Sequence, residues 1–466
     1  MTEKYPNNVI FDVAIVGSGV VGCAMARRFA LEGAKVVLLE KSSDILSGAS
    51  KGNSAILHTG FDAPTGSVEL ACMQAGYREY LEIHPRLNLP LLKTGAMVVA
   101  WNAEDAAKLP AILAQAQANG VSNVRLLDSA EIRRLEPHLA QNALAAVQVP
   151  DEHLIDPWSA PLAYLQQAMA HGAQVRRQAE VQAGKFDGER WTLLTPQGTV
   201  NARYVINCAG LFGDRLEEQL LGHSDFRIMP RKGQFVVFDK AAARLLGNIV
   251  LPVPNERTKG IVLTRTVYGN LLVGPTAEEQ DDRDHAGLDS ATLQSLIDAA
   301  VERIPQLAGM PVTATYAGLR PASEKKEYRI QADAKRHWIT VGGIRSTGLT
   351  AALGIARHVF SLYQGQHVPV AEPIWPQVPN LAEHLPRDYL QPGYGEIVCH
   401  CEMVTRREIQ AALASPLPPG DFGGLKRRTR ACMGRCQGFY CGAQVAELSA
   451  DALATPLATG RCHESQ

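Results

Sequence analysis

Residues 11–22 read FDVAIVGSGVVG, an apolar run that leads into three glycines spaced as GxGxxG. This order predicts a buried strand, a tight turn and a helix over Val20–Leu31. Gly17 permits the turn, Gly19 lets the backbone approach a phosphate, and Gly22 lets the helix pack closely on the strand. The helix N-terminus would then offer free N–H groups and a positive dipole end to a pyrophosphate. The stretch therefore predicts an α/β fold with a dinucleotide site.

An acidic residue follows the next predicted strand. The run Lys35–Leu39 ends at Glu40, and a carboxylate roughly 20 residues after the glycines accepts hydrogen bonds from ribose hydroxyls and repels the 2′-phosphate of NADP. NAD and FAD would satisfy these residues equally well, and a glycine-rich turn without a ligand is the alternative. No second GxGxxG occurs in the chain, which excludes a reductase with separate Rossmann sites for FAD and NAD(P)H.

Composition narrows the class of protein. The 466 residues include 46 basic and 47 acidic side chains, for a net charge of −1. This balance does not indicate nucleic-acid binding. Neither a signal peptide nor an apolar stretch of about 20 residues is apparent. We therefore expect a cytoplasmic protein that reaches the inner face of a membrane only through a partner subunit.

Cysteines crowd the C-terminal part of the chain, at Cys399, Cys401, Cys432, Cys436, Cys441 and Cys462. Local clustering without an apparent signal peptide favours metal ligation over a disulfide framework. Cys399 and Cys401 form a CxC pair, and Cys436 and Cys441 form a Cx4C pair. Four thiolates from two turns can hold a [2Fe–2S] cluster or a zinc ion, and the spacing alone does not decide between them.

Several further segments occur in a recognisable order: GASKGNSAILHTG (48–60), LIDP (154–157), VINCAG (205–210), PRKGQ (230–234), GPT (274–276), AGLRP (317–321) and GGIRSTGLT (342–350). Together they resemble the FAD-dependent glycerol-3-phosphate dehydrogenase-like branch of the D-amino-acid-oxidase-like (DAO) superfamily. L-2-hydroxyglutarate and other hydroxy-acid dehydrogenases look similar. The resemblance implies that the dinucleotide is FAD and that a small anionic hydroxylated substrate delivers a hydride to flavin N5.

The C-terminal segment TRACMGRCQG (429–438) resembles the bacterioferritin-associated-ferredoxin-like [2Fe–2S] module. The resemblance implies the ligands Cys399, Cys401, Cys436 and Cys441. Cys432 stands where that pattern usually has glycine, and we expect a free thiol there, with an additional ligand as the alternative. A cluster that carries single electrons implies a dehydrogenase that passes electrons to an acceptor protein or a quinone. Additional subunits are compatible with this role.

The resemblance also implies a domain organisation. A Rossmann-like FAD-binding domain carries an inserted, mostly antiparallel substrate domain, and a small helical Fe–S domain ends the chain. The predicted bounds are 9–366 for the oxidoreductase region, with FAD-binding parts at about 9–85, 150–220 and 310–366 and substrate parts at about 86–149 and 221–309, then a proline-rich linker at 367–393 and the [2Fe–2S] domain at 394–466.

Motif and resemblance together predict the site residues. His58 is the candidate base for an alcohol proton, and Arg320 and Arg345 are candidates to hold a carboxylate or phosphate. The alternatives are that His58 only hydrogen-bonds the flavin or the backbone, and that each arginine forms a surface ion pair. Contacts with FAD are predicted for Gly17, Gly19, Val20, Val21, Gly22, Glu40, Lys41, Ser50, Asn53, Ser54, Val181, Ala209, Gly210, Gly318, Gly343, Gly348, Leu349 and Thr350.

Two other functions fit the same fold. An amine or amino-acid dehydrogenase would need a carboxylate clamp but no alcohol base, so His58 would matter little. A non-catalytic electron-carrier subunit would bind flavin without substrate chemistry.

Overall fold

The computed structural model of the protein describes residues 9–254, 260–455 and 457. Cys462 lies outside these residues. The helices run over Val20–Leu31, Val68–Ile83, Ala103–Ala118, Ser129–Leu135, Ser159–Ala170, Gly213–Leu221, Ser290–Arg303, Gly348–Leu362, Arg406–Leu413, Phe422–Thr429 and Gly442–Ser449. Among the described ranges, no helix has the length and apolar character needed to cross a membrane.

An eight-stranded sheet, counted over the described residues, contains the strand predicted from residues 11–22. That strand, Ile10–Val16, runs parallel to Val36–Leu39 on one side and to Gly198–Asn207 on the other. Trp338–Gly342 continues the parallel part. The remaining strands are Gln174–Arg176, Ala183–Phe186, Trp191–Thr195 and Arg329–Asp333. The parallel order confirms the predicted α/β fold with a Rossmann-like domain.

A second sheet of nine strands, again counted over the described residues, is mostly antiparallel. Its strands are Ala96–Ala100, Arg125–Asp128, Ala145–Val149, Ile228–Phe238, Ile249–Pro252, Val262–Arg265, Leu271–Gly274, Glu278–Glu279 and Val312–Ser323. The strand Val312–Ser323 lies within the range 310–366 that the sequence assigns to FAD binding, yet it pairs with Ile228–Phe238 of the second sheet. Strand pairing is non-local, so local segments could not show which sheet this strand joins.

Two small sheets complete the strands of the described residues. The first has three strands, Ile56–Leu57, Leu91–Lys93 and His153–Ile155. The second pairs Ile397–Cys399 with Val404–Thr405 in the C-terminal module.

The helix Gly348–Leu362 packs tightly against Val68–Ile83. Two glycines permit this approach. A Cβ at Gly76 would lie 2.1 Å from Thr350 O, and a Cβ at Gly354 would lie 2.0 Å from Cys72 O. The close helix pair fixes where the N-terminus of Gly348–Leu362 points.

The proline-rich segment 367–393 lies along the N-terminal region as extended chain, with one short 3-10 turn at Asp388–Leu390. Val370 N donates to Leu31 O at 2.8 Å. Beyond the segment, residues 397–450 form a module with its own apolar core around Val404, Ile409 and Leu425. The segment thus connects two separately packed units.

Buried polar contacts dock the C-terminal module on the N-terminal region. Arg428 Nη1 and Nη2 donate to Asp44 Oδ2 and Oδ1 at 2.6 and 2.8 Å. The two side chains are 5% and 0% exposed. Arg427 Nη2 donates to Ile45 O at 3.1 Å. The module is therefore held against the loop that follows Glu40.

Candidate active site

A cavity of about 670 Å³ opens where the two large sheets meet. Its walls come mainly from residues 16–21, 47–54, 208–212, 317–321 and 341–346. The volume lies in the upper half of the range of roughly 300–1,000 Å³ that is usual for ligand sites. Each of the five stretches overlaps a segment that the sequence singles out.

Two glycines of the GxGxxG loop are required by close packing. Gly17 has a φ of +104°, and a Cβ there would lie 2.5 Å from Cys208 O. A Cβ at Gly22 would lie 1.9 Å from Gly17 O. A larger residue at Gly22 would push the helix away from the end of the strand, and a larger residue at Gly17 would push the turn away from Cys208. These are the packing and turn roles that the motif predicts for the two glycines.

The N-terminus of the helix Val20–Leu31 faces the cavity. Its N-cap is Gly19, which has no side chain to accept the first N–H groups. Ser50 Oγ, from the opposite wall, accepts Val20 N at 3.0 Å. The terminus keeps its positive end toward the cavity and suits an anionic group.

Glu40 holds the glycine loop in place through hydrogen bonds. Its Oε2 accepts Ser18 N at 2.9 Å and Ser18 Oγ at 2.5 Å, and its Oε1 accepts Ser42 N at 2.8 Å. The carboxylate also lines the cavity. Each carboxylate oxygen has two lone pairs, so Oε1 can also accept a ribose hydroxyl, as the sequence predicts.

A second helix N-terminus, that of Gly348–Leu362, reaches the same cavity through Gly348 and Leu349. Thr347 is its N-cap, but Thr347 Oγ1 donates to Glu69 Oε1 at 2.8 Å instead of capping the helix. Two positive helix ends therefore converge on one space, and both favour electron-rich parts of a ligand.

His58 sits beside this second helix. Its backbone N donates to Thr350 Oγ1 at 3.0 Å. Its Nδ1 is 2.7 Å from Glu152 Oε2. The imidazole is 21% exposed. His58 is not among the residues that line the cavity, and it connects to them through Thr350, which follows Leu349.

Two arginines line the cavity wall formed by the antiparallel sheet and the loop before Gly348. Arg320 Nη2 donates to Thr276 O at 3.0 Å. Burial, followed by the charges of Arg231 and Arg345, lowers the pKa of Arg320 to about 10. Across the described part of the chain, Arg345 has no carboxylate partner. Like charges that crowd together in this way favour an anionic ligand.

Most of the predicted FAD contacts line the cavity: Gly17, Gly19, Val20, Val21, Glu40, Lys41, Ser50, Asn53, Ser54, Val181, Ala209, Gly210, Gly318, Gly343, Gly348 and Leu349. Gly22 and Thr350 do not. Gly22 lies under the loop, where its contact is with Gly17. Thr350 points to the backbone of Ile56 and His58. Both residues pack behind the residues that line the cavity. A local motif does not distinguish a residue that lines the cavity from one that packs behind it.

Residues 12–362 match the family model described as DAO, FAD dependent oxidoreductase. The chain belongs to this family. Residues 397–450 match the model of the BFD-like [2Fe-2S] binding domain. This DAO family protein therefore has two cofactors, FAD and a [2Fe–2S] cluster, and it is an FAD-dependent oxidoreductase.

Individual relatives agree with this assignment. The chain is 30% identical over 454 residues to a glycerol 3-phosphate dehydrogenase of Caloramator mitchellensis, a match that covers 95% of this chain and 94% of that protein. It is 28% identical over 272 residues to an L-2-hydroxyglutarate dehydrogenase of Indibacter alkaliphilus, covering 57% of this chain and 68% of that protein. The dithionite-reduced, FAD-bound L-α-glycerophosphate oxidase of Mycoplasma pneumoniae superposes with a TM-score of 0.73 at 25% identity, covering 78% of this chain and 97% of that one.

The cavity of this DAO family protein fits FAD. Backbone lies open to the cavity at Gly19, where even a Cβ would meet only Ser50 Oγ, at 3.1 Å. Two helix N-termini would supply positive ends to the pyrophosphate and to the flavin edge that becomes negative on reduction. A carboxylate, Glu40, stands at the predicted ribose position.

The four predicted cluster ligands lie near one another in the structure. The thiols of Cys401 and Cys436 lie close enough for each to affect the pKa of the other, and so do the thiols of Cys399 and Cys441. Backbone N–H groups, first that of Tyr440, lower the pKa of Cys436. Such N–H groups are the usual partners of cluster sulfurs.

Cys432 lies within this group. Its Sγ is 3.4 Å from Cys441 Sγ, and its side chain is buried. Its φ of +62° is a left-handed conformation that glycine adopts without strain. This geometry explains why glycine is the usual residue of the pattern. Whether Cys432 is a free thiol stays a prediction.

Sequence reasoning missed Glu152 and the pair formed by Asp44 and Arg428. Glu152 precedes the segment 154–157 by two residues, and nothing in its neighbourhood links it to His58, 94 residues away. Asp44 and Arg428 are 384 residues apart and belong to different units. Only an alignment with co-varying positions could have revealed either contact.

Proposed function

We propose that this protein is a glycerol 3-phosphate dehydrogenase, or acts on a closely related small hydroxy acid, and passes electrons through its [2Fe–2S] cluster to an acceptor protein or a quinone. The observation that supports the proposal is the share of the chain covered by one relative. The match to the glycerol 3-phosphate dehydrogenase of Caloramator mitchellensis covers 95% of the chain, the cavity and the cysteine module together. The glycerophosphate oxidase uses 97% of its own length to cover 78% of this chain, and so offers no counterpart for the remainder.

The anionic end of the substrate is assigned to Arg320 and Arg345. Both line the cavity, and the positive charge of Arg345 contributes to the lowered pKa of Arg320. A bound phosphate or carboxylate would relieve this repulsion and accept paired N–H bonds from a guanidinium. The binding energy would hold the substrate hydroxyl at a set distance from the flavin end of the cavity.

The hydroxyl proton is assigned to His58. Its backbone is tied to Thr350 Oγ1 at 3.0 Å in the first turn of the helix that reaches the cavity. An imidazole is suited to accept a proton near neutral pH. Bound FAD supplies the acceptor for the hydride of the adjacent C–H bond, and the [2Fe–2S] cluster supplies a carrier of single electrons.

The exit for electrons is assigned to the ligand loop between Cys436 and Cys441. Phe439 and Tyr440, inside this loop, are 95% and 72% exposed. Exposed aromatic rings beside two cluster ligands suit the approach of an acceptor protein. An enzyme that passed electrons only to O₂ would not need this module.

A 2-hydroxy acid such as L-2-hydroxyglutarate is the second candidate substrate, because the Indibacter alkaliphilus relative is named for it and arginines bind carboxylates as well as phosphates. That match covers 57% of the chain, which favours glycerol 3-phosphate. An amine dehydrogenase and a non-catalytic carrier subunit are not favoured by the relatives.

Steady-state assays with an artificial one-electron acceptor test the proposal. Purified enzyme is given glycerol 3-phosphate, L-2-hydroxyglutarate, glycerol, proline or sarcosine at equal concentrations. We expect kcat/KM to be highest for glycerol 3-phosphate, and Arg320→Met to remove that preference over uncharged glycerol. Preference for proline or sarcosine would overturn the proposal.

A further inference from the structure

The carboxylate of Glu152 lies directly against the candidate base. Glu152 Oε2 is 2.7 Å from His58 Nδ1, and the Glu152 side chain is fully buried. We propose that Glu152 is a positioning residue that accepts the Nδ1–H of His58, fixes the tautomer whose Nε2 accepts a proton, and stabilises the ring once it is charged. The inference rests on the proposed function, in which His58 removes the hydroxyl proton of the substrate.

The pairing of two strands brings the backbones of His58 and Glu152 together. In the three-stranded sheet, Leu57 is the antiparallel partner of His153. The next residue on each chain is His58 on one side and Glu152 on the other, so the register places them opposite each other. The hydrogen bond from His58 N to Thr350 Oγ1, at 3.0 Å, holds the histidine from its other side.

The second oxygen of Glu152 is held separately. Glu152 Oε1 accepts Thr59 N at 2.6 Å and Thr59 Oγ1 at 2.8 Å. These two neutral donors stop the carboxylate from turning and leave Oε2 directed at the imidazole. An uncharged amide oxygen would serve Thr59 equally well, because the two donors are neutral. Only a partner that becomes positively charged benefits from the negative charge of Glu152.

The charge balance of the proton transfer explains the benefit. The substrate O–H bond breaks, an N–H bond forms at His58 Nε2, and the ring changes from neutral to a charge of +1. In a buried setting this new charge is costly unless an anion stands beside it. Glu152 supplies that anion without itself taking up a proton.

Glu152→Gln is the variant that tests the role. The amide can keep both bonds to Thr59 through its oxygen, but its NH₂ group would face His58 Nδ1 as a donor and select the wrong tautomer. We expect kcat to fall roughly 10²-fold, and the acid limb of the pH profile of kcat/KM to move to lower pH. Thr59→Ser, which keeps both bonds to the same carboxylate, is the matched control, and its acid limb should stay in place.

A spectroscopic measurement keeps the test independent of variant folding. In the wild-type protein labelled with ¹⁵N-histidine, the His58 signals, identified by their absence in His58→Asn, should show the proton on Nδ1. A proton on Nε2 would overturn the inference. So would a Glu152→Gln enzyme with unchanged kcat and acid limb while His58→Asn is inactive. Full activity of His58→Asn would instead refute the part of the proposed function that assigns the hydroxyl proton to His58.

Discussion

Replacing Asp44 with asparagine tests how the C-terminal module is held on the FAD-binding region. In the native pair, two N–H groups of Arg428 reach the two oxygens of Asp44 at 2.6 and 2.8 Å, with side-chain exposures of 5% and 0%. Arg177 also forms an ion pair with this carboxylate, with its Nη1 3.6 Å from Asp44 Oδ1. The asparagine leaves two guanidinium groups without their anion and points its own NH₂ group at one of them.

The magnitude follows from burial. Removing one partner of a buried ion pair costs about 3–5 kcal/mol, because the other charge stays buried and uncompensated. We expect Asp44→Asn to weaken the docking of the C-terminal module by about 3–5 kcal/mol. Replacing Asp44 with leucine and Arg428 with methionine should restore much of the loss, because the Arg428 charge then no longer stays buried without its anion. Cluster content should not change in either variant, since Asp44 is not a cluster ligand.

Calorimetry and limited proteolysis measure the effect. In wild-type protein we expect one transition and a protected linker at 367–393. In Asp44→Asn, the C-terminal module should unfold in a separate, earlier transition, and protease should cut the linker. Equal stability of wild type and Asp44→Asn would refute the reasoning. Equal losses in the single and double variants would refute the explanation by an uncompensated charge.

Three further predictions concern the two sites. Arg320→Met should raise KM for glycerol 3-phosphate roughly 10²-fold, from the loss of two charge-assisted bonds, in steady-state assays; an unchanged KM would remove Arg320 from the anion site. Because the pKa of Arg320 is lowered to about 10, its charge is present below that pH, so KM in the wild type should rise as the pH is raised through about 10 and stay flat in Arg320→Met. Cys432→Gly should stabilise the module by roughly 1 kcal/mol, because glycine adopts the left-handed backbone conformation without strain. This variant should keep the visible absorption of the cluster, whereas Cys436→Ser should lose it. Loss of the cluster in Cys432→Gly would show that Cys432 is a ligand.

The sequence predicted best where chemistry is local. The GxGxxG loop specifies a turn, a helix start and a packing contact within six residues, and the structure has all three at Gly17, Gly19 and Gly22. The helix Val20–Leu31 was predicted with its observed bounds. The helix Gly348–Leu362 has Thr347 as its N-cap, and Thr347 Oγ1 bonds to Glu69, a distant residue that no local pattern reveals.

Sequence patterns did not reveal contacts between distant stretches. The resemblance placed 310–366 in the FAD-binding part, and nothing local showed that the strand Val312–Ser323 within this range pairs with Ile228–Phe238. Glu152 was missed for the same reason, since only sheet register brings it to His58. Residues that line a cavity can be found from motifs, whereas those that hold the lining in place depend on the fold.

One spectrum tests the central claim that this DAO family protein is a dehydrogenase whose flavin and cluster work in series. Under anaerobic conditions, glycerol 3-phosphate is added to the purified enzyme and the visible absorption is followed with time. The account predicts loss of the flavin bands first, then partial loss of the [2Fe–2S] absorption, with no change on adding glycerol. Flavin bands that no hydroxylated anion bleaches would contradict it. So would cluster absorption that persists after the substrate has bleached the flavin, if O₂ admitted afterwards reoxidises the flavin at the full turnover rate.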